Sequence, residues 1–318
     1  MSPQTRSVLF ALITIVLWSS LAVLASFLVH IPAFLQLGVA LTSCGLVSLF
    51  TWRHWRVPLR TLAVGIGGIF GYHYLLFMAY RHAPMIEATL INYLWPLLIV
   101  VLTPLYFREK PLRSYHLIGA LLGISGAVLI ISGGKLELNS QYLAGYLLAI
   151  GAAFAWSNYS LACSKLRAFP SAAIGGFCLW SGLLALSLYA TEQWLAPKAV
   201  VLSLNDWLLM IAIGAGPLGA AFFTWDIALK NGDTRVVGAL AYLAPMGSTG
   251  LLILFTDSPV RSTTLIAMLM IIASAVIGSW ELLVRRPSAR AGHQGGAPAT
   301  TPPEQRYKQC QPAQVEQQ

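Results

Sequence analysis

Apolar residues run along this chain in ten stretches of about 20, the length a helix rising about 1.5 Å per residue needs to cross a hydrocarbon core of about 30 Å. Runs this long read as membrane spans rather than core strands. They predict helices at Val8–Val29, Ala33–Phe50, Thr61–Tyr80, Ile86–Phe107 and Tyr115–Ile131. A second set follows at Tyr142–Cys163, Ser171–Tyr189, Trp207–Leu229, Val236–Phe255 and Thr263–Leu283. Proline, glycine and charge punctuate the short gaps, as from Arg53 to Pro58 and from Gly133 to Glu137. After Arg286 the pattern stops, and residues 287–318, rich in Pro, Gly, Gln and Ala, are expected to form a disordered tail.

Composition agrees with lipid as the main solvent. Charged residues make up 10% of the 318, and the mean hydropathy is +0.70. The net charge of +9 would suit nucleic acid if it were gathered on one patch, but the basic residues are spread over short loops. With the amino terminus in the cytoplasm, sixteen of the 20 Lys and Arg residues fall on one side, and only Arg81, Lys135, Lys198 and Arg261 on the other. The positive-inside rule therefore predicts a multi-pass inner-membrane protein with both termini cytoplasmic, bound to lipid and not to nucleic acid. No small-residue cleavage site follows the first apolar run, which reads as an uncleaved helix. Cys44, Cys163 and Cys178 lie in apolar runs and Cys310 in the tail, with no Cys/His cluster, so neither a disulfide frame nor a metal site is indicated.

The two sets of helices resemble each other. Leu9-x-Ala11, Trp18-Ser19 and Ser26 align with Leu147-x-Ala149, Trp156-Ser157 and Ser164. Farther on, Ala79 to His82 and Tyr93-Leu-Trp-Pro96 align with Ala228 to Asn231 and Tyr242-Leu-Ala-Pro245, and Pro111-x-Arg113-Ser114 with Pro259-x-Arg261-Ser262. A repeat of five helices must re-enter the membrane from the opposite face, which gives an all-α fold of ten spans in a 5+5 inverted repeat, residues 7–134 and 141–284. Many secondary carriers are built this way, though channels and membrane enzymes are not excluded by it.

Unusual residues gather near mid-membrane. Trp18, Tyr72, Tyr93, Trp95, Trp156, Tyr159 and Tyr242 lie deeper than the interface where Trp and Tyr usually collect, and they form a candidate aromatic wall for a substrate. Such a wall also suits a flat cation. Pro96 and Pro245 each remove a helical hydrogen bond at depth and are candidate hinges, with packing kinks as the alternative. Asp226, four residues before Lys230, is either half of an i, i+4 ion pair or a site for coupling or substrate charge. His73 is either titratable or structural, and Glu87 opens a helix at its positive end. Gly67-x-x-x-Gly71 and Gly119-x-x-x-Gly123 permit close helix packing. No nucleotide-binding loop, Ser/His/Asp set or HExxH motif is present, so an enzyme is not expected.

Val16-Leu-Trp-Ser19, Ile91-Asn-Tyr-Leu-Trp-Pro96, Trp156-Ser-Asn-Tyr159 and Trp225-Asp226 resemble the drug/metabolite transporter superfamily in its EamA-type branch, and within it the aromatic amino acid exporters. The resemblance covers about residues 7 to 284. It implies an exporter with a central cavity, moving aromatic and other neutral amino acids out of the cell, with flat cationic drugs or other small metabolites as alternative cargo; a monomer that needs no cofactor is expected. A channel-like facilitator is the alternative from another class. The implied cavity wall includes Trp18, Asn92, Tyr93, Trp95, Trp156 and Tyr159. Asp226 departs from the neutral Asn expected beside the Trp.

Overall fold

The computed structural model describes residues 1–135, 138–166, 169–256 and 262–280, and every described element is helical. The expected tail at 287–318 and the end of the last predicted helix at Leu283 lie outside these residues. Helix α1 (Pro3–Ser26) begins earlier than the apolar run suggests. Ser2 caps it by accepting from the Thr5 amide, and Pro3 sits in the first turn, where its missing N–H is not needed. Helix α2 (Ala33–Val47) tightens into a 3₁₀ segment, Ser48–Trp55, and α3 spans Leu59–His82.

The fourth predicted span is two helices, α4 (Met85–Asn92) and α5 (Leu94–Tyr106), interrupted at Tyr93. The ninth is likewise α11 (Thr234–Leu240) and α12 (Leu243–Thr256), interrupted at Ala241 and Tyr242. Both breaks fall upstream of the proline rather than at it. Proline disfavours helical geometry in the residue before it and has no N–H to offer the preceding turn, but it fits a helix's first turn. Pro96 and Pro245 therefore each become the third residue of a new helix.

Helices α6 (Ser114–Ser132), α7 (Leu143–Lys165) and α8 (Ile174–Leu195) follow the expected pattern. The eighth span, by contrast, divides into α9 (Leu204–Ala215), a π turn at Gly216–Ala220 and α10 (Ala221–Asn231). Pro217 within that turn cannot donate to the ladder, and the wider turn absorbs the defect. A Ser203–Asp206 capping box fixes the start of α9. Helix α13 covers Ser262–Gly278. Eight segments among the described residues are long and apolar enough to cross a membrane, counting α4 with α5 and α9 with α10 as one each.

Helix α1 lies against α10 and α12, and α7 lies against α3 and α5, while α2 pairs with α8 and α6 with α13. Small residues set the last pair. A Cβ on Gly119 would come within 2.8 Å of the Gly278 backbone nitrogen, and one on Gly123 would strike the Tyr242 ring. The Gly67 and Gly71 pair does not act this way. A Cβ on either would meet nothing within 4 Å, because the packed face of α3 is the one carrying Gly65 and Gly68, against Phe177 and Tyr159.

Candidate functional site

The site is organised by indoles. Trp18 of α1 has its ring centroid 5.7 Å from that of Trp95 (α5), 5.9 Å from Trp156 (α7) and 5.0 Å from Trp225 (α10). Trp95 is itself 5.6 Å from Trp225, and most of these contacts are edge-on or tilted, as ring quadrupoles favour. Trp225 is 1% exposed and donates its indole N–H to Ser160 Oγ at 3.0 Å.

On one side of this cluster lies a cavity of about 310 Å³. The C-terminal half of α1 contributes Trp18, Leu21 and Ala25 to its wall, and that of α3 contributes Tyr72, His73 and Tyr80. Thr89, Asn92, Tyr93 and Trp95 come from around the α4–α5 break, Trp156 from α7, Leu218 and Phe222 from the eighth span, and Ala244 and Ser248 from α12. Among the described residues, no Asp, Glu, Lys or Arg lines it. Polar groups are few: the Asn92 amide donates to Tyr72 Oη at 3.2 Å, and the Tyr80 hydroxyl lies 3.1 Å from Thr89 Oγ1. His73 Nδ1 is 2.7 Å from the Ile69 carbonyl and donates to it.

Six of the residues expected to bind substrate, namely Trp18, Tyr72, Asn92, Tyr93, Trp95 and Trp156, therefore meet at one cavity, together with His73. Two do not reach it. Tyr159 lies behind Trp156, rings 5.2 Å apart, with its own ring against Gly68. Tyr242 is fully buried against Gly123, its hydroxyl 3.5 Å from the Tyr93 carbonyl. Pro96 and Pro245 also lie off the wall. Phe222, Tyr80 and Thr89 were not anticipated. Phe222 stands one helical turn before Trp225, a spacing that places both on one face of α10; nothing local marks the Tyr80–Thr89 pair, which only the turn between α3 and α4 brings together.

On the other side of the cluster the bundle is sealed. The Ser7 hydroxyl donates to the Ala228 carbonyl at 2.6 Å, Ser164 to that of Leu229 at 3.0 Å, and Thr14 and Thr103 meet Thr224 and Thr234 at 2.7 and 2.9 Å. Arg235 pairs with Asp233 at 2.5 Å and donates to the Pro111 carbonyl. Burial alone would raise the Asp233 carboxyl, but the Arg235 guanidinium outweighs it and holds the group below its usual value. Asp226 belongs to this sealed half. It pairs with Lys230 at 2.7 Å and accepts from Ser171 at 2.5 Å, while Lys230 also caps the Phe169 ring at 3.5 Å. It does not line the cavity.

A membrane-embedded helical bundle with an uncharged aromatic cavity at its centre, sealed on one side, has the form of a small-molecule transporter. The profile of the EamA-like transporter family matches residues 5–132 and 143–280, and the chain belongs to that family. It is similar to the aromatic amino acid exporter YddG of Ancylobacter novellus, 36% identical over 293 residues that cover 89% of this chain and 99% of the relative. It is also similar to the protein of that name from Salmonella typhimurium, 26% identical over 64% of this chain and 71% of the relative, and to that of Escherichia coli, 24% identical over 86% and 97%. A solved crystal structure 35% identical in sequence superposes with a TM-score of 0.81, covering 89% of this chain and 99% of that one. This chain is accordingly a multi-pass transporter of the inner membrane.

Proposed function

We propose that the protein exports aromatic and other neutral amino acids by alternating access. The observation that carries this reading is the lining: indole and phenol rings with scattered neutral acceptors and no fixed charge, which suits a molecule of no net charge with a flat side chain. The names of the relatives lend further support. In this reading the chain has ten spans in two inverted halves, 7–134 and 141–284, both termini are cytoplasmic, and it works as a monomer without a cofactor. The two-segment family match supports the halves, as does the way α7 sits on α3 and α5 much as α1 sits on α10 and α12. The cavity then faces outward and the sealed half faces the cytoplasm. The interruptions before Pro96 and Pro245 are the hinges about which the halves exchange these roles.

The test is uptake of labelled phenylalanine, tryptophan and a flat dication into proteoliposomes. Saturable amino acid flux, lowered at least about tenfold in Trp95→Ala by loss of the ring that closes the cavity floor, is the expected result. Flux of the dication alone, or unsaturable flux, would contradict it.

A further inference from the structure

We propose that the interrupted fourth span is a clamp for a zwitterion: Asn92 Oδ1 accepts from the substrate's ammonium group, and the first turn of α5 receives its carboxylate. The inference rests on the transporter reading above.

Asn92 is 5% exposed and faces the cavity. Its Nδ2 donates to Tyr72 Oη at 3.2 Å, which leaves Oδ1 buried without a partner among the described residues. Buried amide oxygens are nearly always hydrogen-bonded, and this one, covered at the edge of a cavity that its residue lines, is an acceptor awaiting a donor that a small side-chain turn would bring within reach.

The backbone supplies the complementary charge. Asn92 closes α4, where the helix dipole is negative, and Leu94 opens the 13-residue α5, where it is positive. First-turn N–H groups have no partner within their helix, so those of Leu94 and Trp95 mark α5's anion-binding end, while Pro96 has none to offer. The break thus sets a cation-seeking end and an anion-seeking end two residues apart, matching the ammonium and carboxylate that an α-amino acid carries on one carbon. With both anchored there, the side chain projects toward the rings of Trp18 and Trp156.

The other break does not repeat this arrangement. Tyr242 is fully buried with its hydroxyl on the Tyr93 carbonyl, and no orphaned side chain from that break faces the cavity. The clamp is therefore single, which gives the substrate one orientation.

Transport kinetics for phenylalanine, phenethylamine and 3-phenylpropionate in proteoliposomes separate the two arms. The wild type is expected to favour phenylalanine at least about tenfold over either single-charge analogue, since a site built around hydrogen bonds discriminates strongly against a ligand that lacks one. Asn92→Ala should raise the phenylalanine KM about tenfold with kcat little changed, and leave inhibition by 3-phenylpropionate as it was. Asn92→Asp, of the same shape, should turn preference toward phenethylamine, and it decides the matter if the alanine variant does not fold. A phenylalanine KM unchanged in Asn92→Ala, or 3-phenylpropionate weakened equally, would overturn the clamp while leaving the exporter reading intact. A wild type that moves no aromatic amino acid would overturn both.

Discussion

On one side of the cluster formed by Trp18, Trp95, Trp156 and Trp225 the helices stand apart around about 310 Å³ of space with hardly a hydrogen bond across it. On the other side α1, α5, α7, α10 and α11 are tied by serine and threonine hydroxyls to backbone carbonyls and to each other, while Arg235 reaches the Pro111 carbonyl, Lys230 that of Phe169, and Asp226 the Ser171 hydroxyl. Hydrophobic matching cannot hold helices together in lipid, whose tails are as apolar as the helices' own faces. Short polar ties and close backbone approach do that work instead. The difference shows where the bundle's stability is concentrated and which contacts must be exchanged if the cavity is to open to the opposite face.

The largest way to disturb this asymmetry is Arg235→Ala. It takes the guanidinium from a largely buried Asp233, leaving that carboxylate the charge of Lys110 and the backbone N–H of residue 235, at about 3 kcal/mol. Opening of the sealed half should then become easier, read as increased alkylation of cysteines placed there and as a lower unfolding temperature. An unaltered labelling pattern would show that the pair holds nothing shut.

A smaller effect is expected from Asp226→Asn, because Ser171 and the Phe169 ring and carbonyl still hold their partners. Since Asp226 does not line the cavity, the phenylalanine KM should stay within about twofold. A large KM change would place the acid in contact with substrate, and a loss confined to stimulation by a pH gradient would make it the coupling group.

Much of this was legible beforehand. Counting residues along each span picked out Trp18, Trp95 and Trp156 as too deep for interfacial anchors, and the three do meet at one cavity. Direction around a helix is harder to read. Tyr159 shares a face with Trp156, yet the neighbouring Gly68 leaves a hollow that takes its ring away from the cavity. Tyr242 aligns in sequence with Tyr93, but Gly123 makes room for it in the wall behind. Sequence symmetry does not carry over to side-chain direction where a glycine across the interface is unmatched. The prolines announced the breaks, whereas their position at Tyr93 and Tyr242 follows from the third-residue place that proline finds in a new helix. The π turn at Pro217 and the Tyr80–Thr89 contact depend on packing that no periodicity records.

The exchange of open and sealed halves is tested most directly by labelling single cysteines, at Ser248 on the cavity wall and at Ser7 in the sealed half, with a membrane-impermeant maleimide applied from either side of the membrane. In a background with the four native cysteines replaced, Ser248→Cys should label only from the outside and Ser7→Cys only from the inside. A phenylalanine gradient that drives the carrier inward should lower the first and raise the second. Labelling of both positions from one side, or labelling indifferent to substrate, would contradict alternating access.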